Sequence, residues 1–257
     1  MAGALWFLGD VHGDISHVNF ELSRARRNGT APQAVIFMGD LEADRPFAKV
    51  AENIATAGGG TEAWFIHGNH DSDLELFARN IFDEAGSDRN LHGRVVTIAG
   101  VRVAGLGGVF EKAIWHPEVN DGEPSWLSFE DYAAEQKIRA GRGEAVVAVG
   151  RTLKHRTSIF YDVYLELHGC PADVLVAHEA PACHPRGYGL LDDLAQSMGV
   201  SKVFHGHHHD NLDYSTTGRV EPYSVHGIGY RGIADLDGTC LRKGAYDEER
   251  EARLGPA

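Results

Sequence analysis

Residues 4–13 read ALWFLGDVHG. Five apolar residues rich in aromatic character read as a short strand buried on both faces, and it halts at Gly9, with Asp10 and His12 just beyond. The same grammar recurs at 34–40 (AVIFMGD), 63–71 (AWFIHGNHD), 174–178 (VLVAH) and 202–209 (KVFHGHHH). Each apolar run is followed within about two residues by a turn residue or a side chain able to ligate a metal. In an open α/β sheet the ligand site lies beyond the carboxyl ends of the strands, so five such ends would gather these side chains from across the chain.

Between the first three runs lie segments of helical spacing at 15–27 and 47–57, the second closed by Gly58, Gly59 and Gly60. Alternating strand and helix is the signature of an α/β protein. A helix is predicted over 74–82, then a hairpin of 95–98 and 101–106 turned at Ala99-Gly100. Residues 107–127, with Trp115 and Trp126 and no clear period, read as a long surface loop. Ser128 and Asp131 form a capping-box pattern ahead of a helix over 132–139. A second helix is predicted over 151–167, where Phe160, Val163, Tyr164 and Leu167 share a face. Residues 107–170 thus read as a loop and helical insertion within one domain spanning 1–242. Short antiparallel strands are expected at 212–215, 220–225 and 232–236, and a charged, fraying tail at 243–257.

The 257 residues include 43% hydrophobic and 24% charged side chains, the composition of a globular chain with a packed core. A formal charge of −13 disfavours binding to long nucleic acids or to an anionic membrane surface. Three cysteines (Cys170, Cys183, Cys240) suggest neither a disulfide framework nor a thiolate zinc site. No long apolar run is present, and the N-terminus lacks a basic segment, so the expected location is cytoplasmic. The oligomeric state stays open.

Carboxylate, amide and imidazole ligands without thiolate suit Mn²⁺, Fe²⁺ or Zn²⁺ in an open catalytic site. Asp-x-His at one strand end and His-x-His at another, with a shared carboxylate, could hold two such ions. A pair of ions would generate a hydroxide nucleophile near neutral pH and brace both phosphoryl oxygens of a phosphoester.

Asp10-x-His12, Gly39-Asp40, Gly68-Asn69-His70-Asp71, His178 and Gly206-His207-x-His209, in this order, resemble the calcineurin-like metallophosphoesterase family. The resemblance implies a four-layer α/β/β/α sandwich, two mixed sheets flanked by helices. It implies that Asp10, His12 and His209 hold one divalent ion, that Asn69, His178 and His207 hold the other, and that Asp40 bridges them. His70 matches the family's non-ligand histidine, which protonates the leaving oxygen or stabilises charge on the phosphoryl group. Asp71 either orients His70 or serves as a turn cap. His205/His207 is an alternative register for the last ligand pair, although the glycine before His207 favours the first assignment.

Within the family the motifs are mixed. Gly9-Asp10-Val11-His12-Gly13 and Asp44-Arg45 resemble the protein-phosphatase branch, with one extra residue before Asp44, whereas Gly206-His207-x-His209 resembles the phosphodiesterase and nucleotidase side. Arg45 is therefore a candidate substrate contact or a surface side chain. The expectation is hydrolysis of a small phosphoester or nucleotide by a metal-bridging hydroxide. The alternatives are a Ser/Thr protein phosphatase, a dinucleoside-polyphosphate hydrolase, or a non-catalytic scaffold of the same fold. His67, His92, His116, His168, His184 and His226 read as surface or core residues, and Glu179 as no ligand. Between 137 and 156, six basic side chains face only Glu144, either as a solvated face or as a basic rim for a multiply phosphorylated substrate.

Overall fold

A computed structural model describes residues 4–214, 222–247 and 249. β1 (Leu5–Leu8), β2 (Ala34–Phe37) and β3 (Glu62–Phe65) are parallel neighbours, and the sheet continues through β9 (Ile233–Asp235) and β10 (Cys240–Arg242) in the order β10-β9-β1-β2-β3. The second sheet runs β4 (Arg94–Ile98), β5 (Val101–Leu106), β6 (Val174–Ala177), β7 (Lys202–His205), β8 (Ser224–Gly227). Among the described residues only the β4–β5 hairpin is antiparallel in that sheet.

The continuous apolar runs are explained by two-sided burial, because alternate side chains of each strand enter different cores. Leu5, Phe7, Ala34, Ile36, Val174, Val176 and Phe204 fill the space between the sheets, where Phe7 and Phe204 stack at 3.7 Å. Trp6, Leu8, Val35 and Phe37 turn the other way, onto α1 (Ser16–Arg27), α2 (Phe47–Gly58) and α3 (Glu75–Phe82). Leu175, Ala177 and Val203 join a third core with the helices of the second half. Helices, sheet, sheet, helices form the four layers expected.

The β4–β5 turn has Ala99 and Gly100 both at positive φ (50° and 82°), the paired left-handed conformation that tight hairpins require. Ser128 caps α4 (Phe129–Arg139), its Oγ accepting from Asp131 N–H. The single helix predicted over 151–167 is instead α5 (Ala145–Lys154) and α6 (Tyr161–Leu167), parted at 158–160. Val109 N–H donates to Thr157 O at 3.0 Å, and Ile159 N–H to Val109 O at 2.9 Å, so a short bridge with fully buried Ile159 overrides helical spacing. A further helix outside the sequence-based expectations, α7 (Gly189–Met198), buries Leu191, Leu194, Ala195 and Met198.

The C-terminal half also departs from expectation. Residues 212–214 are not a strand, and Ser215 and 220–221 lie outside the described residues. β8 is parallel to β7 rather than antiparallel, while β9 crosses to pair antiparallel with β1. Residues 243–247, predicted to fray, fold back: Ala245 N–H donates to Tyr230 O at 2.7 Å, and the buried Asp247 carboxylate accepts from Gly244 N–H. Residues 250–257 of the expected tail lie outside the described set. Among the described residues no helix is long and apolar enough to cross a membrane.

Candidate metal centre

The loops that leave β1, β2, β3, β6 and β7 meet at one place. Two groups of side chains there present ligand atoms all within 4.8 Å of one another: His12, Asp40 and His209, and Asp40, His178 and His207. Asp40 belongs to both, with Oδ2 3.8 Å from His12 Nε2 and Oδ1 3.5 Å from His178 Nε2. Asp10 sits between them, Oδ2 3.2 Å from His209 Nε2 and Oδ1 3.8 Å from His178 Nδ1. Asn69 Oδ1 lies 3.2 Å from His178 Nε2. The structure therefore brings together all seven side chains proposed as ligands, and it keeps His205 out, since that ring turns to Tyr214 Oη at 2.6 Å.

Local backbone chemistry aims these groups. His12, Asp40, His207 and His209 all have φ between 43° and 66°, a left-handed conformation uncommon outside glycine, and its clustering is a mark of functional strain. Crossed backbone bonds from His12 N–H to Asp40 O and from Gly13 N–H to Leu41 O lock the first two loops together. Asp10 Oδ2 accepts His207 N–H and Asp40 Oδ1 accepts His70 N–H, so each buried carboxylate also fixes the loop opposite. Glycine supplies the necessary space: a Cβ on Gly39 would lie 2.2 Å from His178 Nδ1, and one on Gly68 the same distance from Asp40 Oδ1.

Hydrogen bonds fix the tautomers. His178 Nδ1 donates to Met38 O at 2.8 Å, which leaves the Nε2 lone pair facing Asn69 Oδ1 and Asp40 Oδ1. His12 Nδ1 donates to Glu42 Oε1 at 2.5 Å, which turns its Nε2 toward His209 and Asp40. Acceptors thus face acceptors across both gaps, and Asp10 Oδ1 is buried with no hydrogen-bond partner. Without a cation such an array is costly; divalent cations fit its donor set.

Titration follows the crowding. Burial raises the Asp40 pKa and the nearby Asp10 charge reinforces it. Burial would raise Asp10 too, but the His209 hydrogen bond and the His178 charge hold it below the usual range. For His178, burial is outweighed by Asp40 and Asp10, and the pKa rises. His207 is pushed down to about 3 by burial and His178, so its ring is neutral and free to ligate.

His70 lies beside this cluster, its ring centroid 5.4 Å from that of His12. Asp71 does not orient it. The Asp71 carboxylate is fully buried and accepts from Glu42 N–H and Gly68 N–H, bracing the loops, while His70 Nδ1 pairs with Asp73 Oδ2 at 2.6 Å. Arg45 is exposed and forms a two-pronged pair with Asp44. Three of the six basic residues of 137–156 are matched: Arg139 with Glu135, Lys154 with Glu111 and Arg156 with Asp83. Glu179 accepts from Phe110 N–H at 3.2 Å, and its pKa is pushed up to about 7 by burial.

Sequence reasoning missed Glu42, Asp73 and Tyr230. The first two act on histidines through local loop geometry, and only their closeness to Asp40 and His70 in sequence could have marked them. Tyr230 packs its ring 5.5 Å from His12 and 5.1 Å from His209, and belongs to a segment with no recognisable motif.

Comparisons with known proteins agree with this geometry. Residues 4–211 match the profile of the calcineurin-like phosphoesterases. A Haemophilus influenzae protein, described only as uncharacterized, is 38% identical over 244 residues, covering 95% of this chain and 99% of its own. The crystal structure of TT1561 from Thermus thermophilus superposes with a TM-score of 0.52 at 17% identity, covering 93% of this chain and 98% of that one. That likeness speaks to the fold.

Proposed function

This chain belongs to the calcineurin-like phosphoesterase family, and from that premise we propose that it hydrolyses a small phosphomonoester or phosphodiester with two divalent ions. The observation that carries the proposal is the pair of facing-acceptor clusters that share buried Asp40. His12, His209, Asp10 and Asp40 would hold one ion, and Asp40, Asn69, His178 and His207 the other. When bound, such ions supply Lewis-acid stabilisation of the phosphoryl oxygens and lower the pKa of water toward neutrality.

The chain's own groups do the rest. Asp10 and Asp40, neither left to solvent, set the charge that draws cations into an acidic protein. Burial alone would lower the pKa of His70, but the Asp73 hydrogen bond and the Asp40 charge outweigh it and raise it, which favours the protonated ring. His70 is half-exposed, with Nδ1 committed to Asp73. Its Nε2–H is the donor available to a leaving oxygen, which is general-acid work. Arg45, tied to Asp44 at the surface, gives no support to a protein-phosphatase-like role.

The test pairs elemental analysis of the purified protein with hydrolysis of a bis-aryl phosphate, an aryl phosphate, cyclic nucleotides, diadenosine tetraphosphate and a phosphopeptide under Mn²⁺, Fe²⁺ or Zn²⁺. Turnover confined to the phosphopeptide would favour a protein phosphatase. No turnover with any of the three ions would leave only a binding platform.

A further inference from the structure

The segment after β8 contributes a wall that the phosphoesterase reading does not use. Tyr230 packs against the rings of both His12 and His209, the two histidines of the His12, Asp40 and His209 group. Tyr246 stacks on Tyr230 with centroids 5.0 Å apart and planes 11° from parallel, and its ring is also 6.4 Å from that of His209. The Arg231 guanidinium lies 5.0 Å from the Tyr230 centroid, held by Asp14 at 3.0 Å.

This wall is built into the fold. Arg231 N–H donates to Asp10 O, which ties the segment to the β1 loop, and Ala245 N–H donates to Tyr230 O, which ties the two tyrosine loops to each other. Asp247 is buried between them: a Cβ on Gly229 would lie 2.7 Å from its carboxylate, and Gly244 N–H donates to it. Yet Tyr246, at the end of this anchored assembly, is 44% exposed. Two parallel rings leading from candidate metal ligands out to solvent offer a stacking surface beside the place where a phosphoryl group would be held. Stacking also adds affinity without adding positive charge, which suits the acidic chain.

We infer that Tyr230 and Tyr246 form a platform for a planar aromatic ring on the ester side of the substrate, so that the preferred phosphoesters carry a nucleobase or an aryl group. The inference rests on the phosphoesterase reading above. Its test is calorimetric binding of adenosine 5′-monophosphate, phenyl phosphate and ribose 5-phosphate to the Mn²⁺-loaded full-length protein.

The two aromatic ligands are expected to bind about tenfold more tightly than ribose 5-phosphate. Tyr246→Ala should erase that margin at unchanged Mn²⁺ content, and Tyr246→Phe should retain it. A preference for adenosine 5′-monophosphate over phenyl phosphate would assign the platform to nucleobases, and the reverse to simple aryl groups. Equal affinity of all three ligands for the wild type, or a margin that survives Tyr246→Ala, would overturn the platform and leave phosphoester hydrolysis standing. Failure of all three and of inorganic phosphate to bind, together with no hydrolysis of any phosphoester, would overturn both readings.

Discussion

His178 is fully buried with Nδ1 tied to a main-chain carbonyl, whereas His12, on the other side of Asp40, is 19% exposed and steered by Glu42, itself 26% exposed. His209 in the outer group is 29% exposed, and Tyr230 lies against it. The inner group is therefore anchored by a fully buried histidine, and the outer group has none. In a centre of this kind the inner ion should be a long-lived part of the folded protein, and the outer one should exchange and respond to the outer shell.

The largest expected effect comes from the shared carboxylate. Asp40→Asn should deplete both ions and slow hydrolysis by roughly a thousandfold, read from metal content and initial rates; retention of either ion at full occupancy would break the division drawn here. Next is the contrast between His178→Ala and His12→Ala. The first should lose the inner ion and cost about 2–4 kcal/mol of stability, because it opens a cavity and strands the Met38 carbonyl. The second should lose the outer ion with a much smaller change in Tm. Equal thermal losses would mean that burial does not separate the two groups.

Glu42→Gln sharpens the comparison further. It should weaken the outer ion about 10–100-fold, the usual cost of losing a partner that orients a ligand, and leave inner occupancy intact. The smallest effect falls on His70. Asp73 helps raise the His70 pKa, so Asp73→Asn lowers it and the acid form is lost at lower pH. The alkaline limb of the pH–rate profile should then move toward acid, with metal content unchanged; an unmoved limb would exclude His70 as the proton donor.

Much of this architecture is legible in the sequence, and for a physical reason. Strands buried on both faces must be apolar throughout, so 4–8, 34–38 and 174–177 stand out, and the residues that end them are the ones that converge. Residues 151–167 mislead because the periodicity of Phe160, Val163, Tyr164 and Leu167 is real, but the bridge from Val109 to Ser158 is a long-range pairing that no local pattern announces. α7 could have been read from Leu191, Leu194, Ala195 and Met198. Tyr230 and Tyr246 could not, because their roles depend on which ring each faces after folding, and for Glu42 and Asp73 the sequence offers only closeness to Asp40 and His70. Asp71 is legible as a turn cap or an orienting group, and only the bonds to Glu42 and Gly68 decide between them.

The left-handed main chain at His12, Asp40, His207 and His209 has a consequence for anyone borrowing this centre. Transplanting the side chains onto another scaffold's regular strands or helices would aim them wrongly, however well the atoms were chosen. The portable unit is the set of bent loops with their glycines, and a graft that omitted them would assemble the right inventory in an arrangement no cation could use.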